Sequence, residues 1–513
     1  QKVSPFEARF MKVLFVTSEV ATVYKLGGLG DVSYALPAAL KRLGVDIQIA
    51  LPFYARISPN RFGGGRTPRN KHKGGLKCIG PLAVSWDGRR ELVFVFVARL
   101  GDTNVPLLLF RHPMLDEYKG SKDIDSPTRF AFFCQTVATY AMVEAIRGES
   151  FDIIHCNDWH TSLLPLLLGE SPKVFFRNGH GFPSLLPKET LAATAIRSVL
   201  TIHNPVYHGI VSTKIIKKIA LDSRQFHVLR DGKVPYVNLL REGLEYADII
   251  TTVSPTFAKE MFSHNYGPHV TGILKKRKDR LVGILNGLDP ELWDPKKDAN
   301  LLQNYSIKDV VTVKRALKTH LRQSIRLPEV DVPVFGFVGR LDKYQKGVDI
   351  LLAGVEKLLK KRSVQLIMLG TGAPSVVRMI EEMAVKYPDF FAFIHTFDER
   401  LARRIYAGSD VLLVPSKYEP CGLTQMIAMR YGTIPLVRKT GGLADTVENG
   451  KTGFVFEKYQ ASALVAAMER SIAVWQDTKH WQQMVKTVMR QDFSWKRSAR
   501  EYLGVYNILL NAS

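Results

Sequence analysis

Lys25-Leu26-Gly27-Gly28-Leu29-Gly30-Asp31-Val32 follows a short apolar run and leads into an amphipathic stretch. Glycines in that position let backbone N–H groups approach a phosphate at a helix N-terminus, and a lysine adds a point charge. The run is neither G-x-G-x-x-G nor a P-loop, which would end in Gly-Lys-Ser/Thr. Asp31 reads equally as a simple helix cap. A second cationic turn, Arg340-Leu341-Asp342-Lys343-Tyr344-Gln345-Lys346-Gly347, again joins an apolar run to a helical one. Two cations on such a loop can clamp a diphosphate leaving group, or can be ordinary exposed charges at a helix start.

Two further turns lie downstream. Glu419-Pro420-Cys421-Gly422-Leu423-Thr424-Gln425 puts a carboxylate on a sharp Pro/Gly turn, where it can accept hydrogen bonds from sugar hydroxyls. Thr440-Gly441-Gly442-Leu443-Ala444-Asp445 carries a second glycine pair whose amides can bind a hexose hydroxyl or a phosphate oxygen. In the first half, Thr201-Ile202-His203-Asn204 and His155-Cys156-Asn157-Asp158-Trp159-His160 each end an apolar run. The latter invites a metal reading, but side chains at a strand end do not converge on one point. A hydrogen-bonded role is expected there, and no metal.

These turns need elements to hold them. Short apolar runs alternate with helical stretches, the pattern of parallel sheets wrapped by helices. Lys12–Ser18 reads as a first strand, followed by a helix from Asp31 to Leu43 that Gly44 stops. Val45–Leu51, Leu92–Ala98, Leu107–Phe110, Phe151–Cys156, Val199–His203, Ile249–Val253 and Leu281–Leu285 are further strands, with a long helix over Arg129–Ile146. The rhythm restarts after residue 290. Strands are expected at Val334–Val338, Val364–Gly370, Phe390–His395, Val411–Pro415 and Ile434–Val437, with a helix at Gly347–Lys361. Two doubly wound α/β halves follow, and in such sheets ligands sit at the carboxyl ends of strands. Arg61–Gly75 and Asn178–Thr194 read as variable surface loops.

With 513 residues, 46% of them apolar and 23% charged, the chain is that of a multidomain globular protein. No run approaches the roughly 20 apolar residues of a membrane span. Gln1 to Phe10 lack a signal-peptide core and precede Met11, which reads as a natural start; they are an appended stretch or the stub of a removed targeting segment. The four cysteines, at 78, 134, 156 and 421, form no C-x-x-C pair, which suits a reducing compartment. The net charge of +23 is spread along the chain without a nucleic-acid motif. It reads as a solvated surface that also steers an anionic small-molecule substrate, and no nucleic-acid partner is expected.

Taken together and in order, Lys25–Val32, His203-Asn204, Asn286-Gly287-Leu288-Asp289, Arg340 to Lys346, Glu419–Gln425 and Thr440–Leu443 resemble bacterial glycogen synthases and plant starch synthases. Arg129-Phe130-Ala131-Phe132-Phe133, Thr252-Val253-Ser254-Pro255-Thr256 and Phe493-Ser494-Trp495 extend the resemblance from residue 11 to the C-terminus. It implies a GT-B fold: two facing Rossmann-like, doubly wound domains with a cleft between them. The domains would be 11–288 on the acceptor side, 289–492 for the nucleotide sugar, and a C-terminal helix at 493–513 returning to the first. It implies a retaining glycosyltransferase that moves glucose from ADP-glucose to the non-reducing end of an α-1,4-glucan (glycogen, starch or maltooligosaccharide), with no metal and no cofactor. The location would be the cytoplasm of a bacterium or the plastid stroma of a plant or alga. Oligomeric state is left open.

The resemblance also assigns roles. Lys25 would meet the diphosphate, on a loop shaped by Gly27 and Gly28, and His203 would lie against the transferred glucose. Arg340 and Lys346 would neutralise the departing ADP, and Glu419 would bind glucose hydroxyls. Asn286, Cys421, Gly422, Leu423, Thr424, Gly441, Gly442 and Leu443 would line the donor site, with Asp31 and Asp158 as orienting groups. A retaining glycosidase needs two carboxylates about 5 Å apart, and Ile427 stands where many retaining GT-B families have a second carboxylate after Glu419. A front-face displacement is the mechanism this implies. Three departures stand out: one extra residue between Arg340 and Gln345-Lys346, Pro205 after His203-Asn204, and the stretch between Asp158 and His203. The rivals are a UDP-glucose enzyme of the same fold and a glucan-binding scaffold without turnover.

Overall fold

The computed structural model describes residues 11–62, 75–116, 126–169, 196–219, 221, 223–262 and 267–511. The Asn178–Thr194 loop and nearly all of Arg61–Gly75 lie outside them. The chain forms two compact units. The first takes in the described residues of Gln1–Val253, Ala258–Gly287 and Trp495–Ser513, and the second Ser254–Phe257 with Leu288–Ser494.

In the first unit the strands are β1 (Lys12–Val16), β2 (Asp46–Pro52), β3 (Lys77–Trp86), β4 (Arg89–Leu100), β5 (Val105–Arg111), β6 (Ile153–Asn157) and β7 (Arg197–Ile202). They continue as β8 (Ile210–Ser212), β9 (Leu229–Asp231), β10 (Val234–Asn238), β11 (Ile249–Thr252) and β12 (Leu281–Gly283). The main sheet has the order β12-β11-β7-β6-β1-β2-β5-β4-β3. Its members from β12 to β5 pair in parallel, while β4 and β3 close one edge as an antiparallel hairpin. Helices cover both faces of a parallel sheet, so its central strands are apolar throughout. In β1, Val13, Leu14, Phe15 and Val16 are all fully buried.

Helix α1 (Gly28–Arg42) follows β1, and the long helix α2 (Ser126–Ile146) precedes β6. The C-terminal helix Trp495–Asn511 packs against α1 in the same unit. It is fastened by Tyr506, whose hydroxyl lies 2.6 Å from His155 Nδ1 on β6. His155 Nε2 in turn meets Thr201 Oγ1 of β7 at 2.6 Å.

The second unit holds β13 (Val334–Val338), β14 (Gln365–Leu369), β15 (Phe391–Ile394), β16 (Val411–Val414), β17 (Ile434–Arg438) and β18 (Phe454–Phe456). All are parallel, in the order β15-β14-β13-β16-β17-β18. Helix α3 (Val348–Lys360) follows β13, and eight of its residues are buried at a 3.6-residue rhythm.

Each of the two large sheets reverses its winding direction once, whereas β8, β10 and β9 form a small antiparallel sheet of their own. In the first unit the chain goes from β1 outward to β2, then returns to lay β6 on the other side of β1. In the second it goes from β13 to β14 and β15, then returns with β16 beside β13. Adjacent loops diverge at such a point and leave a crevice beyond the carboxyl ends of the two strands.

Candidate active site

The first unit's reversal lies between β1 and β6, and the loops that leave those strands carry the first half of the expected site. After β1 the chain turns through Glu19 and the glycine-rich run. Gly27 is the cap of α1, and the helix starts at Gly28 rather than at Asp31. The glycine pair therefore belongs to the helix start itself. Asp31, in the first turn, does not cap; its carboxylate pairs with Lys25 Nζ at 2.6 Å. Inside the loop, Glu19 accepts hydrogen bonds from the N–H groups of Leu26 and Gly27, the latter at 2.9 Å. Burial pushes the Glu19 carboxyl above its usual range, and the N–H groups of Leu26, Gly27 and Gly30 pull the other way.

After β6, Asn157 and Asp158 tie three strand ends together. Asn157 Nδ2 donates to Val16 O of β1 at 3.0 Å, and its Oδ1 faces His203 Nε2 at 2.9 Å. Asp158 adopts a left-handed backbone (φ 54°), unusual for a residue with a Cβ. That conformation aims its carboxylate at the end of β7, where Oδ1 accepts from His203 N at 2.7 Å and Asn204 N at 3.2 Å. Burial lifts the Asp158 carboxyl to about 7, opposed by those two N–H groups and helped by the nearby Glu19. Desolvation lowers His203 to about 3, so its imidazole is neutral at working pH. Beyond β12, Asn286 Oδ1 is buried and accepts no hydrogen bond from the described residues. Such an atom costs stability unless a further partner reaches it.

His155 and His160, which could suggest a metal, engage different partners. His155 lies between Tyr506 and Thr201, while His160 stacks on Trp159 and meets the Phe130 edge. Among the described residues no three His, Cys, Asp or Glu side chains gather at metal-binding distance.

The second unit's reversal lies between β13 and β16. The loop after β13 carries Arg340 and Lys346, and the loop after β16 carries Glu419. Lys346 Nζ lies 2.7 Å from Glu419 Oε2, and Ser416 Oγ donates to the same oxygen at 2.9 Å. Glu419 Oε1 takes no hydrogen bond among the described residues. Arg340 reaches Gln345 Oε1 at 2.8 Å and is otherwise exposed. The loop turns on Asp342, whose carboxylate accepts from Tyr344 N at 2.7 Å and whose carbonyl accepts from Lys346 N at 2.9 Å. Tyr344 is thrown outward, 74% exposed, and Lys346 stays aimed at Glu419. Gly347 (φ 72°) lets the loop press on the β16 end, since a Cβ there would fall 2.1 Å from Pro415 O.

Cys421, Gly422 and Leu423 form the turn that starts the helix Thr424–Arg430, and Gly422 takes a left-handed φ of 74°. Gly441 and Gly442 lie against this turn: their Cβ atoms would come 2.0 Å from Glu419 O and 2.1 Å from Cys421 O. This differs from the expectation of free amides. Gly442 N donates to Glu419 O at 3.1 Å and so serves the turn, while Leu443 N donates to Thr440 O at 3.1 Å within its own helix start. The pair is glycine because two backbones touch there.

The family described as starch synthase catalytic domain matches residues 12–276, and the one described as glycosyl transferases group 1 matches residues 332–473. A glycogen synthase from Thermodesulfovibrio yellowstonii is 37% identical over 516 residues, covering 98% of each chain. One from Geotalea uraniireducens is 38% identical over 513 residues, covering 98% of this chain and 99% of its own. The chain belongs to the glycogen and starch synthase family. Among solved structures, the catalytic domain of starch synthase IV from Arabidopsis thaliana, bound to ADP and acarbose, aligns with a TM-score of 0.82 and 29% identity. The alignment covers 98% of this chain and 100% of that one. This glycogen/starch synthase-type glycosyltransferase therefore has the GT-B fold.

Within the first unit Lys25, Gly27, Gly28, Asp31, Asp158 and His203 gather around the β1/β6 reversal. Within the second, Arg340, Lys346, Glu419, Cys421–Thr424 and Gly441–Leu443 gather around the β13/β16 reversal. Two residues with a part in this geometry, Glu19 and Ser416, were missed in the sequence, and two more, Asn157 and Gln345, stood within motifs singled out there but were given no role of their own. The signal for Asn157 was its place beside Asp158 at a strand end. Glu19 had only its position just beyond the first strand.

Proposed function

We propose that this chain elongates an α-1,4-glucan by moving glucose from ADP-glucose to its non-reducing end with retention of configuration and without a metal. The observation that carries the reading is the second unit's reversal point, where Arg340 and Lys346 share a loop facing the Glu419 carboxylate. That combination suits a hexose esterified to a diphosphate: cations for the leaving group, a carboxylate for hydroxyls. The family membership and the solved relative with ADP and acarbose support the same substrate classes.

In this reading Arg340 and Lys346, helped by Lys25, neutralise charge that builds on the diphosphate as the C1–O bond breaks. The acceptor 4-hydroxyl oxygen bonds to C1 on the same face, and its proton passes to the departing diphosphate oxygen. Glu419 Oε1 accepts a hydrogen bond from a glucose hydroxyl and holds the ring; it does not attack. Among the described residues its own partners are Lys346 and Ser416, not a second carboxylate. Asn157 and Asp158 fix His203 by ring and backbone, and the buried Asn286 Oδ1 is free to accept from the sugar.

The test is incubation of ADP-glucose with maltohexaose, followed by NMR of the product. Longer chains with new α-1,4 linkages are expected. New β linkages, or hydrolysis to free glucose without elongation, would overturn the reading.

A further inference from the structure

The glycine-rich loop of the first unit contains a carboxylate where an anion-binding loop would be expected to contain none. Glu19 is 6% exposed, and its side chain takes the N–H groups of Leu26 and Gly27. Its backbone is pinned as well: Thr17 Oγ1 donates to Glu19 O at 3.0 Å and lies 2.9 Å from Ser33 Oγ of α1. A carboxylate at the start of a 15-residue helix is favourable in itself. Next to a diphosphate it is repulsive, so its presence calls for a reason.

The two glycines beside it supply that reason. Gly27 is in extended backbone (φ −153°, ψ −162°), which any residue adopts, and a Cβ there would sit 3.6 Å from Glu19 Oε1, an ordinary contact. Gly28 has no positive φ, and a Cβ there would meet nothing within 4 Å. Among the described residues no contact requires glycine at either position. Gly30 differs, because its Cβ would press on Lys25 Cγ at 3.0 Å. A glycine that the fold does not need is explained by a group outside the chain that lies close on the backbone. The amides of Gly28 and Leu29, at the first helical positions, make no hydrogen bond to another described residue.

We propose that Glu19 is a positioning residue of the donor site: by taking the Leu26 and Gly27 amides it sets the loop so that Gly28 and Leu29 N–H, with Lys25, meet the donor's diphosphate. Glu19 touches no substrate. It acts through the loop, whose lysine, Lys25, is paired with Asp31. The inference rests on the reading above that a diphosphate binds at this loop.

The test uses Glu19→Gln, Glu19→Asp, Lys25→Ala, Gly28→Ala and the double variant Glu19→Gln/Lys25→Ala of the full chain, with initial rates, ADP binding by calorimetry and thermal unfolding. Glu19→Gln should lower kcat by roughly 10–100-fold with acceptor KM unchanged. Glu19→Asp, which keeps the charge and loses the reach, should do the same. Gly28→Ala should weaken ADP binding without lowering Tm. Because Glu19 acts through the loop that carries Lys25, the double variant should lose no more than about threefold beyond Lys25→Ala alone. Fully multiplicative losses together with a fall in Tm would make Glu19 a packing residue and overturn the proposal. Impaired Lys25→Ala beside unimpaired Glu19 variants would overturn it while leaving the diphosphate at the loop. Unchanged ADP binding and turnover in all five would remove the diphosphate from this loop, and with it both readings of this half.

Discussion

Lys346 Nζ stands 2.7 Å from Glu419 Oε2, joining the loop after β13 to the loop after β16 at the point where the second sheet reverses. The pair places the proposed leaving-group cation and the proposed sugar-binding carboxylate within one hydrogen bond of each other. Lys346→Ala should therefore lower kcat by roughly 10²–10³ with a smaller effect on acceptor KM, since charge on the leaving group develops in the transition state. Lys343, whose ammonium lies over the Tyr344 ring at 5.3 Å, is no substitute, and Lys343→Ala should stay near wild type. Steady-state kinetics of the two variants checks this; the reverse ranking would move the clamp to Lys343.

Asp158 should show itself in a pH profile. With its carboxyl lifted to about 7, it is protonated below that pH and ionised above it. The anion binds the two N–H groups of the His203 loop more strongly, so kcat should rise with pH along a limb centred near 7. Asp158→Asn should remove the limb. Asp158→Ala, which orphans both N–H groups, should cost roughly 100-fold or more in kcat. The sign for stability is opposite: ionising a carboxyl whose folded pKa is raised weakens the fold as pH climbs from about 4 to 7.

Acid should destabilise the first unit. Burial lowers His155 to about 3, so between about pH 6.5 and 3 the unfolded chain binds a proton there that the folded chain does not. Stability should fall by about 1.4 kcal/mol per pH unit from this residue as pH drops through that window. Thermal unfolding at pH 7.5 and 5.5 should show a net loss, because His160 and His203, which burial also lowers to about 3, act in the same direction as His155 and together outweigh the opposite contribution of Asp158. His155→Gln, less stable at pH 7.5, should show a slope shallower by one proton, and an equal slope would contradict the assignment.

Turnover should survive EDTA, because Lys25, Arg340 and Lys346 are proposed to carry the charge compensation. Activity abolished by chelation and restored by Mg²⁺ or Mn²⁺ would contradict this.

Much of the fold was legible because parallel strands buried on both faces leave uninterrupted apolar runs. Val334–Val338 coincides with β13, and β1, β6, β7 and β11 fall within a residue or two of their expected bounds. The long hairpin was half missed. β3 carries the exposed Lys77, Cys78 and Ile79 and a register shift at Gly80, which break the apolar run. β8, β9 and β10 are three to five residues long and leave too little pattern to see. The start of α1 was placed three residues late because glycines read as loop, whereas here Gly27 is the cap and Gly28 the first helical residue. The site's charged groups were visible as residue types on strand-following turns. What joins them was not. Glu19's grip on Leu26 and Gly27, and the left-handed turn that aims Asp158 at the β7 end, are properties of folded backbone.

The most direct test of the account is glucose transfer to glycogen measured side by side from ADP-glucose and UDP-glucose, in wild type and Arg340→Ala. Wild type should use ADP-glucose with a kcat/KM at least about tenfold above that for UDP-glucose, and Arg340→Ala should lose roughly 10²-fold or more in kcat. Equal or better use of UDP-glucose would contradict the donor assignment. Binding of glycogen with no transfer from either donor would make the chain a glucan-binding scaffold.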